Sequence, residues 1–307
     1  MRKLSVVACV CFLVSGQPIN AQYYYYDSRL FDHALVIEIG PSIGVMNSLT
    51  DLGGKKGIGG KFIKDLRWKT ARLSYGVYVT AMYKDAIGIR LEGTFGEVAG
   101  YDSILRKVAS STYGRFERNL SFKSKISEFH IGAEIHPLFF KDYGDDEPPR
   151  LSPYAIIGAG LFSFDPQANL NGQWYSLQPL HLEGQGFTEY PDRKIYQLNQ
   201  LNILAGLGLK YEINSLFNAR LEFVHRFLFT DYLDDVSQVD FVDPTIFYKY
   251  LPANKASIAQ QLYKRTNELN PADITYPLNI QRGDPSQNDS YFTIQLKIGM
   301  MLGRQKR

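Results

Sequence analysis

Apolar and polar residues alternate singly along much of this chain. Between Ser127 and Phe140, Phe129, Ile131, Ala133 and Ile135 are apolar, while Glu128, His130, Gly132, Glu134 and His136 are polar or small. A period of two is the repeat of a β-strand with one apolar and one polar face, because successive side chains leave opposite sides of the pleat. The same dyad runs through 35–45, 72–83, 87–95, 200–213, 219–229 and 291–302. Its polar face carries Glu38, Arg72, Arg90, Glu92, Lys210, Glu212, Arg220, Glu222, Arg226 and Lys297 in turn. Residues 153–164, "PYAIIGAGLFSF", are apolar on both faces and complete a set of eight strands.

Eight is an even number, and each segment is close to the 9–11 residues a tilted membrane-spanning strand requires. Short connections near 84–85, 141–150 and 214–218 alternate with long ones over roughly 47–70, 97–126, 165–198 and 231–289. Short turns at one end and long loops at the other predict an all-β fold, an eight-stranded antiparallel transmembrane β-barrel with four long extracellular loops. A soluble sandwich would also alternate, but has no reason to gather its long loops at one end.

The interior of such a barrel is just wide enough for its own side chains. The inward set holds six acids (Glu38, Glu92, Glu128, Glu134, Glu212, Glu222) and six bases (Arg72, Arg90, Lys210, Arg220, Arg226, Lys297). Buried charges must be paired, so a packed lumen charge network including His130 and His136 is expected, rather than a pore. The two histidines are no metal pair: six residues along a strand separate them by about 20 Å.

The N-terminus adds a compartment. Arg2 and Lys3 precede "LSVVACVCFLV", an apolar run too short to span a bilayer, with a cleavage point after Ala21. This is the pattern of a secretory signal peptide over 1–21, leaving 22–307 as the barrel domain. Both cysteines, Cys9 and Cys11, fall inside it, so the mature chain has neither disulfide nor thiolate chemistry. The whole chain has 34 basic and 31 acidic residues and no basic stripe, which argues against nucleic acid as a partner. With 21 Tyr and 19 Phe, the composition suits strands and membrane–water interfaces.

Other motifs carry little chemistry. "GKKGIGGKF" (54–62) lacks both the first glycine and the final Ser or Thr of a phosphate loop. Arg282-Gly283-Asp284 reads as a turn before Pro285. "DYLDDVSQVDFVD" (231–243) lacks the offsets and glycine of an EF-hand, and reads as a solvated rim with Asp caps. Ser163 and His225 fall on lipid-facing positions, but no nucleophile motif surrounds them, so no catalytic residues, cofactor or metal are expected. The loop 171–187 carries Trp174, Tyr175, Leu177, Leu180 and Leu182, more apolar surface than a solvated loop needs. With Asp231, Asp234 and Asp235, Trp174 and Tyr175 form the candidate loop interaction surface. Residues 252–272, with Ile258, Leu262 and Tyr263 at helical spacing, predict a short loop helix.

"RNLSF" (118–122), "SPYAIIGAGLFSFDPQA" (152–168), "NGQWYSLQPLHLEGQGF" (171–187), "TDYLDDVS" (230–237) and "QRGDPSQNDSYF" (281–292) resemble recurring blocks of a Bacteroidetes outer-membrane β-barrel family. That family includes PorG, the barrel component of the type IX secretion system. The resemblance runs over nearly the whole mature chain and implies a barrel in contact with outer-membrane lipid. It further implies, in the PorG case, association with the periplasmic ring components of the secretion machine. It transfers no catalytic residues. The chain ends "GRQKR" rather than in the terminal aromatic residue common among such barrels. The expectation is a non-enzymatic accessory or anchor of type IX secretion, with a surface barrel binding an external ligand through its loops as the alternative.

Overall fold

The computed structural model describes residues 34–52, 70–105, 113–141, 143, 148–269 and 281–303. The signal-peptide segment, the 54–62 glycine-rich stretch, the acidic turn 142–147 apart from Tyr143, and the tail 304–307 lie outside them.

Eight long strands close on themselves: β1 (Leu35–Leu49), β2 (Arg72–Tyr83), β3 (Ile87–Tyr101), β4 (Ser121–Ile135), β5 (Leu151–Leu170), β7 (Asn199–Glu212), β8 (Phe217–Leu228) and β9 (Ser290–Leu302). Each pairs antiparallel with its neighbour in the chain, and β1 pairs with β9 to shut the barrel. A short β6 (Gln173–Ser176) pairs only with the end of β5. The tight turn between β2 and β3 has Lys84 and Asp85 at φ 51° and 55°. Positive φ at both central residues gives the turn closed by Ala86 N donating to Tyr83 O the strand-matching hand, and Ala86 is one further residue before the pairing of Tyr83 with Ile87.

The alternation predicted from sequence is the alternation of burial. In β4, Phe129 and Ile131 are 64% and 54% exposed, while Glu128 and Glu134 are fully buried. Leu35, Ile43, Leu73, Val77, Ile89, Leu161, Leu207 and Leu296 are also more than half or close to half exposed. A continuous exposed aliphatic surface around a closed sheet, with its charges inside, is inverted for water and suited to lipid. Aromatic residues border it. Tyr83, Phe140, Tyr211 and Phe217 lie toward the short turns, and Tyr75, Phe129 and Phe229 toward the long loops, the placement of interfacial girdles.

The strands outrun this belt. Phe95, Ser127 and Ser163 lie abreast in the register. Beyond them β3, β4 and β5 continue with Glu97, Lys123, Lys125, Asp165 and Gln167 on the outer face. This corrects the sequence reading, which assigned most of 97–126 and the start of 165–198 to loops. Period two persists above the membrane because Val98, Phe122, Ile126, Phe164 and Ala168 still pack inward.

Candidate functional site: the filled lumen and its cap

At membrane depth the interior is a lattice of ion pairs. Arg90, on β3, bonds to Glu134 through Nε and reaches Glu222 at 2.5 Å and Glu92 at 3.2 Å through Nη1. Arg220, on β8, pairs with Glu38 and lies 2.8 Å from Glu134. Lys297 joins Glu92 (2.5 Å) to Glu222 (2.8 Å), and Lys210 stands 3.5 Å from Glu38 and 3.8 Å from Glu212. Higher up, Arg226 lies 3.1 Å from Glu128. His130 lies between Glu92 (3.7 Å) and Glu128 (3.8 Å), and His136 lies 3.2 Å from Glu134. Every one of these side chains is buried.

Arg72 is placed elsewhere. It is partly exposed at the outer rim, 3.7 Å from Glu97, and donates to Tyr101 Oη at 2.9 Å. The lumen itself therefore holds six carboxylates and five cations of the predicted inward set. Two buried tyrosines absent from that set belong with it. Tyr78 donates to Glu38 at 2.5 Å and Tyr154 to Glu222 at 2.7 Å. The guanidiniums of Arg90 and Arg220 lie within 5.8 Å of both rings, in the range where cation–π attraction adds to the ion pairs. Parity was the available signal for both tyrosines. Gly299 makes room for this packing: a Cβ there would stand 2.3 Å from Glu38 Oε1 and 2.6 Å from Tyr78 Oη.

Above the ion pairs, Met46, Phe122, Ile126, Phe162, Phe164, Leu228 and Tyr291 form an apolar plug. Phe162 and Phe164 stack at 5.4 Å, and the stacking continues through Tyr196 to Tyr232. The inward face of β5 is apolar because Ile156 packs with Leu204 and Val224 while Phe162 and Phe164 join the plug, although Ile156 and Phe162 stand opposite Glu134 and Glu128 in the register.

The loops then fold over the mouth. α1 (Tyr113–Arg118), α2 (Phe247–Tyr250) and α3 (Ala253–Leu262) belong to this cap. Leu177, Leu180, Leu182, Phe187, Val242, Phe247, Ala256, Ala259 and Leu262 give it a core of its own. Tyr175 packs against that core, whereas Trp174 is 40% exposed with Lys123 Nζ 3.9 Å from its ring centroid.

Between plug and cap lies a second charged cluster. Asp234 and Asp235 are fully buried and Asp231 is 8% exposed. They do not form a solvated rim, nor do they form a surface with Trp174. Loop backbone turns them inward, because their carboxylates are the acceptors that tie neighbouring loops together. Asp234 accepts from Leu52 N (3.1 Å) and Val236 N (3.0 Å), Asp289 from Leu233 N (2.9 Å) and Asp51 from Asp284 N (2.6 Å). Glu183 accepts from Ser237 N, Gln238 N and Arg282 Nε, and Asp235 from Tyr196 Oη. Arg282, the first residue of the Arg-Gly-Asp tripeptide, is 1% exposed and is unavailable as an adhesion ligand in this conformation. Asp243 does act as the cap read from sequence, accepting from Thr245 N at 2.9 Å.

Burial pushes Asp231 up to about 9, with repulsion from Asp234 and Asp51 adding to it. Asp51 is raised to about 6 and Asp235 to about 7, both by burial first. Asp234 and Asp289 are driven well above the usual carboxylate range, by burial and then by each other's neighbourhood of acids. Among the described residues no three His, Cys, Asp or Glu side chains converge to hold a metal ion.

Ser163 and His225 both face outward. Ser163 pairs in register with Asn199 and His225 with Ala205, about 20 Å apart along the strands at 3.3 Å per residue. They form no nucleophile–base pair.

No family model and no curated protein matches the chain. Among solved structures it is similar to Ail, the attachment invasion locus protein of Yersinia pestis, at 11% identity and TM-score 0.33, covering 87% of this chain and 97% of that one. It is also similar to the N-terminal β-barrel domain of Pseudomonas aeruginosa OprF, at 11% identity and TM-score 0.34, covering 88% and 98%. A third is Neisserial surface protein A, at 7% and 0.34, covering 87% and 97%. Likenesses this distant do not bear on function. The class is defined by the pairing and the lipid-facing belt: a closed, eight-stranded transmembrane β-barrel with a filled lumen and a folded cap.

Proposed function

We propose that the protein is a non-enzymatic outer-membrane barrel that serves as an accessory of type IX secretion, anchoring the periplasmic ring of the machine through its turns and tail. One observation carries the anchoring role. The interior is occupied from the ion-pair lattice through the apolar plug to the cap core, so a barrel built this way supports a scaffold better than a conduit. The signal-peptide pattern and the lipid-facing belt favour the outer membrane, and the sequence blocks that resemble the PorG-containing family favour secretion. On the periplasmic side the scaffold would present the turns at 84–85 and 213–216 and the described ends of the β4–β5 connection, 136–141 and 148–150. In that last segment Leu138 and Phe140 are 37% and 61% exposed.

The test is in-frame deletion of the gene in the native host, followed by measurement of type IX cargo in the medium. Cargo retained in the cell, and released again when the chain is restored, is the expected result. Normal secretion without a redundant paralogue would sink the reading. The second reading, a barrel that binds an external ligand, is favoured only by exposed Trp174 beside Lys123. Under it, Trp174→Ala would abolish binding and leave secretion untouched.

A further inference from the structure

The carboxyl cluster under the cap has a charge problem that the ion pairs in contact with it do not solve. Among the described residues, Asp51, Asp102, Glu183, Asp231, Asp234, Asp235 and Asp289 meet two guanidiniums that bond into the cluster, those of Arg118 and Arg282. Arg118 is held by Asp102 at 2.8 Å and Arg282 by Glu183 at 2.9 Å. Among the described residues that leaves Asp51, Asp231, Asp234 and Asp289 without an ion pair, and Asp235 with only a long one to Arg282 at 3.9 Å. Asp231 Oδ2 is buried with no hydrogen-bond partner. Several unpaired carboxylates cannot be held ionised together at low exposure, because desolvation and mutual repulsion both oppose it. The carboxyls do not converge on a metal position, so protons are the neutralising agent that fits this geometry.

The same carboxyls hold the cap down. Asp234 links the end of β1 to the loop after β8, and Asp289 links that loop to the start of β9. Asp51 fastens the Asp284 turn, and Glu183 fastens the β6–β7 loop to Ser237 and Gln238. We propose that the extracellular cap is a proton-locked lid: it closes over the barrel with protons shared among Asp51, Asp231, Asp234, Asp235 and Asp289, and loosens as they are lost.

Among the described residues, the groups facing this cluster are Thr50 from the segment after β1, Asp102 from the turn after β3, Arg118 from α1, Glu183 and Tyr196 from the β6–β7 loop, Tyr232 from the loop after β8, and Arg282 and Asp284 from the segment before β9. The sign follows from linkage. A carboxyl held higher in the closed cap than its value of about 3.9 in an opened, solvated loop stabilises closure most below that open value. Its contribution is lost as pH rises through the closed value, here from about 6 at Asp51 to about 9 at Asp231. Each proton released lets the opening equilibrium rise by up to about tenfold per pH unit.

The experiment is backbone hydrogen exchange over 230–240 and 282–289, on the full chain in lipid nanodiscs, between about pH 5 and about pH 9. The readout is corrected for the intrinsic chemical rate, with strand amides of the barrel as the internal reference. Protection in these loops should fall by about tenfold or more across that range while the barrel amides hold steady. Asp231→Asn, an uncharged isostere, should flatten the profile, and exposed Asp240→Asn should leave it unchanged. Flat wild-type protection overturns the proposal whatever the variants do. Protection restored at about pH 9 by millimolar calcium overturns it in favour of a metal. None of these outcomes depends on the secretion reading, which is tested by cargo release.

Discussion

Glu134 sits between two guanidiniums, accepting from Arg90 and Arg220 and also from Thr80 at 3.2 Å. Removing its charge leaves both arginines short of a partner in a dry interior. Breaking a buried pair by deleting one side costs about 3–5 kcal/mol, so Glu134→Ala should lower the unfolding free energy of the lipid-embedded barrel, read from urea titration, by that much. Arg72→Ala should change it by less than about 1 kcal/mol, because the Arg72–Glu97 pair is solvent-screened at the rim. The contrast explains what was legible at this scale. Charge and parity together place Glu38, Glu92, Glu128, Glu134, Glu222 and their cations inside, because a charge on that face has nowhere else to go. They misplace Arg72, since parity does not say where along the barrel the lumen ends. Tyr78 and Tyr154 escape this logic because a tyrosine suits lipid, interface or lumen alike. The burial of Asp231, Asp234 and Asp235 is not legible because a loop has no period, and polar loop residues ordinarily face water.

Among the elements, the strands owe their legibility to the lipid: a face forced to be apolar and a face forced to be polar give the cleanest possible alternation. Where β3, β4 and β5 leave the belt, the outward face turns polar and the signal reads as loop, although the inward residues still alternate. The loop helix was legible from Ile258 and Leu262 and appears as α3. Its burial was not legible, because Ala256 and Ala259, both fully buried, are small residues that mark no face by themselves. They do let α3 pack closely on the rest of the cap core. Ala259→Asp would force a charge and added volume into that contact. The expected outcome is a cap cleaved by protease within 171–198 or 231–269 while the barrel stays folded, as judged by its resistance to detergent on unheated gels. The barrel should survive because each of its strands is hydrogen-bonded to two other barrel strands and none depends on the cap for pairing.

For the whole molecule, the consequence of stacking an ion-pair lattice, an aromatic plug and a folded cap along one axis is that closure is redundant. A channel needs a continuous wet path, and its interior charges must be hydrated enough to exchange partners with a passing ion. Here Arg90, Arg220 and Lys297 each bridge two or more carboxylates from different strands. An ion entering the lumen would have to displace several such bonds at once in a medium where each is strong. Planar bilayers containing the protein should therefore show no steady conductance. The more demanding comparison is the Ala259→Asp variant with its cap cleaved. That barrel should also stay silent, because the plug and the lattice lie below the cap. Steps of conductance appearing on cap cleavage alone would mean that the lid is the seal and that the protein is a gated pore rather than a rigid anchor.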